Sequence, residues 1–404
     1  MIGTKSPPAP LQAVLLLCTA EVLSMTGFAT YPALLRTLQQ DWALTNSEAG
    51  LISGTFFAGY MAATPVLVGL TDRIDARRIY LLATLLSVAG SLGFALFAHD
   101  LITAILCQAL VGAGLAGTYM PGLRLLTEHL QGTTQSRSIA FYTASFGLGT
   151  SGSLLLAGAL AAAGWQWTFA LASLGPLIAG PLVLFSFPPR APQATGARPA
   201  GLFEFRSVVR NRPAFGYILG YMFHCWELFG LRSWLPAFFA FSLGLSAAGG
   251  SLARAATLAA WVNLLGPLAS IFGNELAVRR DRRQVVLVVM MTSGVASCLI
   301  GFSAPLPPVL VFFLVAGYFL LVMGDSAALT AGMVAASDPQ RRGAAMALHS
   351  LLGFGAGFTA PLVFGAVLDL AGGNSQVFDW GLAFASLGVG GFCSAVAVRL
   401  FHRR

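Results

Sequence analysis

Three acidic residues of this sequence lie deep inside long apolar stretches, where an isolated charge is costly: Glu21, Glu227 and Asp325. A charged side chain at the centre of a membrane helix costs about 2.5–3.5 kcal/mol on the insertion scale. Such a residue therefore usually faces a cavity or a partner. Residues of this kind are typical of proton pathways and of sites that bind polar solutes.

Arg232 follows Glu227 by five residues, which on a regular helix is about 7.5 Å of rise and about 140° of rotation. The two side chains would touch only if the helix bends, and Gly230 between them could allow a bend. If the helix bends, Glu227 is held in place as the counter-ion of Arg232. Without one, Arg232 is free to bind an anionic group, because its planar fork suits a carboxylate.

Glu21 has no basic residue on its own stretch, which makes it the better candidate for a proton carrier, with Asp325 second. His224 lies three residues before Glu227 and on the same helix face. It could relay a proton, or it could bond structurally to Glu227.

Other polar side chains give weaker signals. Asn263 and Tyr119 could coordinate a solute, although hydrogen bonding between helices explains them equally well. The five cysteines each lie within an apolar stretch, which indicates neither a disulfide framework nor a metal cluster. Without a His/Asp/Glu cluster at ligand spacing, we expect no catalytic residues, no metal and no cofactor, and hence no enzyme.

The apolar stretches that hold these residues have the length of membrane spans. Hydrophobic residues make up 56% of the 404 residues and charged residues 9%, against about 25% charged in soluble proteins. The composition predicts an all-α membrane protein with twelve transmembrane helices. A span needs about 20 apolar residues, and the predicted spans are roughly 12–34, 48–70, 79–98, 101–123, 138–162, 167–187, 214–240, 252–273, 284–303, 308–333, 344–368 and 380–400.

The basic residues support this count. If the loops alternate sides from a cytoplasmic N-terminus, all but a few of the 23 Lys and Arg residues fall on one side, as the positive-inside rule requires. Both termini are then cytoplasmic. The net charge of +8 is explained by topology and not by nucleic-acid binding. The short loops and high Arg content indicate a bacterial inner membrane.

The two halves of the chain repeat. A shift of about 201–205 residues places Asp72 on Glu275 and Arg78 on Arg283. Six spans duplicated in the same orientation predict two bundles related by an axis along the membrane normal. We therefore expect two pseudo-symmetric six-helix bundles joined by a cytoplasmic linker, with the bounds 1–187, 188–213 and 214–404.

One loop carries a specific motif. After the second span the sequence reads Gly69-Leu-Thr-Asp72-Arg73-Ile-Asp75-Ala-Arg77-Arg78. It resembles the signature of the major facilitator superfamily, in which Gly is followed by Asp-Arg and then by Gly-Arg-Arg. Asp75 stands where that family has its second Gly. The equivalent loop of the second half, around Glu275, is a degenerate copy.

The resemblance covers essentially the whole chain and implies alternating access. It also implies that the signature loop closes the cytoplasmic face, with the gate residues Gly69, Asp72, Arg73, Arg77, Arg78 and Glu275. On physical grounds Asp72 could accept hydrogen bonds at the positive N-terminus of span eleven. The arginines could pair with acids such as Glu128, or they could serve only to set topology.

These patterns lead to one function with two alternatives. We expect a secondary transporter that moves a small polar or anionic solute by alternating access, coupled to protons. Its partners are then a small-molecule substrate, protons and the lipid bilayer, without nucleic acid. The alternatives are a proton-driven exporter of lipophilic compounds or drugs, and a non-transporting membrane sensor.

Overall fold

The computed structural model describes residues 8–130, 132–189, 205–246 and 251–401, and this part of the chain is α-helical without a β-strand. Eleven helical segments are long and apolar enough to cross a membrane. The predicted all-α membrane fold is confirmed, while the first of the twelve predicted spans consists of two shorter helices. Most of the predicted cytoplasmic linker, 188–213, lies outside the described residues. So do three basic residues near the predicted cytoplasmic termini, Lys5, Arg403 and Arg404.

The chain forms two compact units, of which unit 1 comprises Met1–Trp42 and Thr55–Gly196. Its helices are α1 (Pro10–Ser24), α2 (Thr30–Trp42), most of α3 (Asn46–Leu70), α4 (Ala76–Phe97), α5 (Leu101–His129), α6 (Gly132–Leu160), α7 (Trp165–Ala172) and α8 (Leu174–Ser186), with a 3-10 turn at Ala161–Ala163.

The first predicted span is interrupted between α1 and α2. The hydroxyl of Ser153 on α6 accepts a hydrogen bond from the backbone N–H of Ala29 at 2.9 Å and donates one to the carbonyl of Thr26 at 2.7 Å. Backbone groups in hydrocarbon must be satisfied within the protein. One serine from a neighbouring helix thus makes the break possible.

A second interruption separates α7 from α8. Pro176 has no N–H and cannot donate to the carbonyl of Ala172, four residues earlier. The hydroxyl of Thr26 donates to that carbonyl instead, at 2.5 Å. The two breaks of unit 1 are therefore joined by one hydrogen bond.

Unit 2 comprises Ala43–Gly54 and Ala197–Arg404. Beyond the start of α3, its helices are α9 (Phe205–Arg210), α10 (Arg212–Leu245), α11 (Leu252–Leu264), α12 (Gly266–Arg279), α13 (Arg282–Ile300), α14 (Pro308–Gly324), α15 (Ser326–Ala336), α16 (Arg342–Ala371) and α17 (Val377–Phe401), with 3-10 turns at Gly301–Ser303 and Pro339–Arg341.

Within unit 2, α10 packs against α11, α14, α15, α16 and α17. Two of its neighbours are broken at bilayer depth. The span of α11 and α12 is interrupted at Leu265, where Pro267 removes the next helical donor, and that of α14 and α15 at Asp325. α10 itself carries three of the predicted site residues, His224, Glu227 and Arg232.

Candidate functional site

Glu21 in unit 1 is completely buried on α1. Tyr142 on α6 donates a hydrogen bond to its Oε2 at 3.1 Å, while Oε1 has no partner among the described residues. The ring of Tyr119 stacks on the ring of Tyr142, with centroids 5.5 Å apart. The predicted candidates Glu21 and Tyr119 thus lie around the same tyrosine, in a setting where the carboxyl group can hold a proton.

The predicted gate loop of unit 1 is organised by Arg124 on α5. Its Nη1 donates to Asp72 Oδ1 at 2.6 Å and to the Thr71 hydroxyl at 2.7 Å, and its Nε donates to Glu128 Oε1 at 2.8 Å. Sequence reasoning assigned Glu128 to the loop arginines and missed the role of Arg124. The spacing of Arg124 and Glu128, four residues on one helix, was the available signal.

The departure of Asp75 from the family signature has a local explanation. Asp75 caps α4 by accepting from the backbone N–H of Arg77, and its carboxylate also binds the Arg77 guanidinium, at 2.6 Å from Nη2. A second guanidinium nitrogen donates to the carbonyl of Phe187 at 2.6 Å. Arg77 therefore joins the start of α4 to the end of α8.

The other gate candidates make fewer contacts. Arg73 and Arg78 are exposed, and a Cβ added to Gly69 would have no neighbour within 4 Å. Glu275 in unit 2 is exposed and pairs with Arg279 one turn later, at 2.7 Å. These residues remain predictions for the gate.

Glu227 is buried on α10 of unit 2 and is held by two hydroxyl groups. Ser293 on α13 donates to Oε2 at 2.9 Å, and Tyr318 on α14 donates to Oε1 at 2.9 Å. Glu227 and Arg232 form no ion pair in the described residues. α10 continues as one helix through Gly230, and Glu227 is not the counter-ion of Arg232 in this structure.

Arg232 makes a single side-chain hydrogen bond within the described residues, from its Nε to Asn263 Oδ1 at 3.0 Å. Asn263 is fixed in turn because its amide donates to the carbonyl of Ala259. The guanidinium lies over the ring of Phe319, 5.7 Å from the centroid. Asn263 thus orients Arg232 without neutralising its charge, and both terminal amino groups stay open to an anion.

His224 does not bond to Glu227, contrary to the simpler expectation from their spacing. Its Nδ1 lies 2.7 Å from Oδ1 of Asp325, at the junction of α14 and α15, and both side chains are almost completely buried. The break beside Gly324 brings this carboxylate to α10. Nε2 of His224 has no hydrogen-bond partner among the described residues.

A row of stacked rings adjoins this pair. Tyr221 on α10 stacks on His224, with centroids 5.6 Å apart, and on His349 of α16, with centroids 3.7 Å apart. Sequence reasoning missed Tyr221, Ser293 and Tyr318, because only the folded chain brings them beside the charged residues.

The sequence matches the model of the Major Facilitator Superfamily over residues 17–280, more than half of the chain. It is 29% identical to the "Niacin transporter NiaP" of Acinetobacter baylyi over 124 residues, which is 31% of this chain and 28% of that protein. This match thus spans less than a third of the length of that transporter. The "Gallate transporter" of Pseudomonas putida is 25% identical over 426 residues, covering 95% of this chain and 90% of that protein.

The fold is similar to that of a bacterial homologue of the human lysosomal transporter spinster, solved in an inward-facing and unoccupied conformation. The TM-score is 0.75 at 16% identity, with 98% of this chain and 96% of that chain covered. The family match, the helical spans and the fold agree with each other. This chain belongs to the major facilitator superfamily.

Proposed function

We propose that this protein transports a small organic anion across the bacterial inner membrane by alternating access, coupled to protons. Arg232 carries this proposal. It is a guanidinium within a membrane span, oriented by Asn263 and without a carboxylate partner among the described residues. A planar fork with two open amino groups matches the geometry of a carboxylate.

The acidic residues favour an anion over a lipophilic cation. Both oxygens of Glu227 accept from hydroxyl groups, and Asp325 lies beside His224, so each of these two acidic residues already has a neighbour within unit 2. Two relatives point in the same direction, because gallate and niacin, named for those transporters, are both aromatic carboxylic acids. An aromatic carboxylate is the substrate class we infer.

Proton coupling is supported by buried titratable groups without a full set of partners. Glu21 has an unpartnered Oε1, and His224 has an unpartnered Nε2. Titratable groups at bilayer depth are typical of proton-driven transporters. In this proposal both termini are cytoplasmic, since that orientation places the arginine-rich loops inside.

Uptake into proteoliposomes tests the function. Radiolabelled gallate, nicotinate and benzoate should accumulate when the interior is made alkaline, and Arg232→Gln should lower uptake at least about tenfold, since a hydrogen bond to a charged group contributes about 1.5–3 kcal/mol. The matched control is Arg254→Gln, because Arg254 is exposed at the start of α11. It should transport like the wild type.

Two results would contradict the proposal. Unchanged uptake by a folded Arg232→Gln variant would remove the anion site. Thermal stabilisation of the wild type by lipophilic cations, with none by the three acids, would support drug export instead.

A further inference from the structure

We propose that the proton which accompanies the anion binds to Nε2 of His224, and that Asp325 makes anion binding dependent on this proton. The inference rests on the proposed anion transport and adds the residue at which proton and substrate meet. Glu21, which the sequence favoured as the proton carrier, does not bind this proton in the proposal.

Asp325 fixes the state of the imidazole. Its Oδ1 lies 2.7 Å from Nδ1 of His224 but accepts no aligned hydrogen bond from the described residues, so the contact is one of charge. A negative charge on this side of the ring favours a proton on Nδ1. In the neutral ring, Nε2 is then an acceptor. Protonation makes it a donor with a positive charge, which is the form that binds an anion.

Nε2 of His224 is buried without a hydrogen-bond partner in the described chain. A buried polar atom of this kind is unfavourable unless it gains a partner. Nδ1 on the opposite side of the ring is already occupied by Asp325. Nε2 is therefore the position on this ring at which a proton and a substrate oxygen can be added.

Arg232 lies on the same helix and its side chain extends toward His224. Arg232 comes eight residues after His224, which corresponds to about 12 Å of rise and about 80° of rotation, and helical side chains point toward the helix N-terminus. In this proposal, a carboxylate bound at the open amino groups of Arg232 extends along α10 toward His224.

Charge balance explains why the proton is needed. Arg232 contributes a positive charge to this buried region, while Asp325 and the nearby Glu227 are acidic. An anion alone would add one further negative charge, which is costly in a medium of low polarity. An anion that arrives with one proton adds no net charge.

The other titratable groups around His224 do not supply this proton site. Tyr221 and His349 face it through the ring stack, and Cys225 is its neighbour on α10. His349 also has a buried ring nitrogen, Nδ1, without a partner among the described residues, but only His224 lies within ion-pair distance of Asp325 there. Glu227 is held by its two hydroxyl donors. On α15, between Ser326 and Ala336, the sequence has no titratable side chain.

Titration calorimetry with the purified full chain measures the proton directly. Benzoate, nicotinate and gallate are titrated at pH 7 in buffers of different ionisation enthalpy, and the dependence of the observed heat on the buffer gives the protons taken up per anion. We expect about one proton per anion for the wild type. Its Kd should rise with pH, by up to about tenfold per pH unit, as linkage requires for one proton taken up on binding.

Three variants separate the roles. His224→Gln should bind the anions more weakly and take up no proton. Asp325→Asn removes the negative charge that the proton balances, so anions should still bind but without proton uptake. His129→Gln is the matched control, because His129 of unit 1 also has an Nε2 without a partner among the described residues, and it should behave like the wild type.

Each outcome decides between the possibilities. Binding by the wild type without proton uptake, or proton uptake retained in His224→Gln, overturns this inference and leaves anion transport intact. Loss of proton uptake in Glu21→Gln would move the proton site to unit 1 and would also overturn it. If none of the three anions binds to the wild type, the proposed function itself fails.

Discussion

Glu21 and Glu227 occupy comparable positions in the two halves of the sequence, yet their hydrogen bonds differ. Glu227 accepts one hydrogen bond on each oxygen, from Ser293 and Tyr318. Glu21 accepts on one oxygen only. A carboxylate that is fully hydrogen-bonded can be part of the fixed structure, whereas one with a free oxygen can exchange a proton or a partner. At the residue scale, Glu227 is therefore the structural member of the pair.

The first prediction concerns this structural role. Tyr318→Phe should lower the free energy of unfolding by about 1–3 kcal/mol, because it leaves a buried carboxylate oxygen without a donor. Thermal unfolding in detergent measures the loss. In a Glu227→Gln background the same substitution should cost less, since an amide oxygen is less costly to leave unpaired than a carboxylate. Equal losses of unfolding free energy in both backgrounds would contradict the structural role of Glu227.

Sequence reasoning singled out the charged residues of the candidate site and few of the side chains that contact them. Glu21, Glu227, Arg232 and Asp325 are visible because a charge in an apolar stretch is rare. The pairing of His224 with Asp325 was not visible, because spacing along one helix suggested Glu227. A contact between distant segments depends on how helices pack, and a single sequence does not contain that information.

At the scale of the helices, the main feature is that several of the predicted spans are interrupted. The interruptions at Met25–Ala29, Ser173 and Leu265 each expose backbone groups at bilayer depth, and hydroxyl groups from other helices satisfy several of them in unit 1. The sequence predicted the spans as uninterrupted, because hydropathy registers length and apolarity. Pro176 and Pro267 were signals for two of the breaks, but the break after α1 contains no proline.

The second prediction tests one of these hydroxyl groups, which takes the place of a missing backbone donor. Thr26→Val keeps the shape of the side chain but removes the donor to the carbonyl of Ala172. We expect a loss of about 1–3 kcal/mol of unfolding free energy, measured by thermal unfolding in detergent. Thr292→Val is the control, since the hydroxyl of exposed Thr292 bonds only to the carbonyl of Val288 in its own helix. A loss of the same size in both variants would show that the cross-helix bond contributes nothing.

The third prediction concerns the packing of α5 on α3 within unit 1. A Cβ on Gly112 would lie 1.8 Å from the carbonyl oxygen of Phe56, so Gly112→Ala must push the two helices apart. We expect the yield of folded, monodisperse protein in detergent to fall severely. Gly152→Ala on α6 is the control, because its Cβ would have no neighbour within 4 Å. It should be tolerated or slightly stabilising, since Ala is favoured over Gly in helices.

At the scale of the whole molecule, the charge distribution predicts which loops are cytoplasmic. The loops at Asp72–Arg78 and Arg279–Arg283 are rich in arginine, whereas those at His99–Asp100 and Gly372–Gln376 contain no Lys or Arg. This contrast was fully available from the sequence. The contrast between the loops remains even if the span boundaries are wrong by several residues, because it depends only on the order of spans and loops.

The last prediction follows from that contrast and tests the orientation. Single cysteines are introduced in a variant whose five native cysteines are replaced by alanine, and intact bacterial cells are treated with a membrane-impermeant maleimide. Asp100→Cys and Gly373→Cys should be labelled from outside, whereas Arg280→Cys should be labelled only after the cells are broken. Arg280 and Asp100 are both exposed, so burial does not account for a difference between them. Labelling of Arg280→Cys in intact cells would invert the topology and would place the arginine-rich loops outside, against the positive-inside rule.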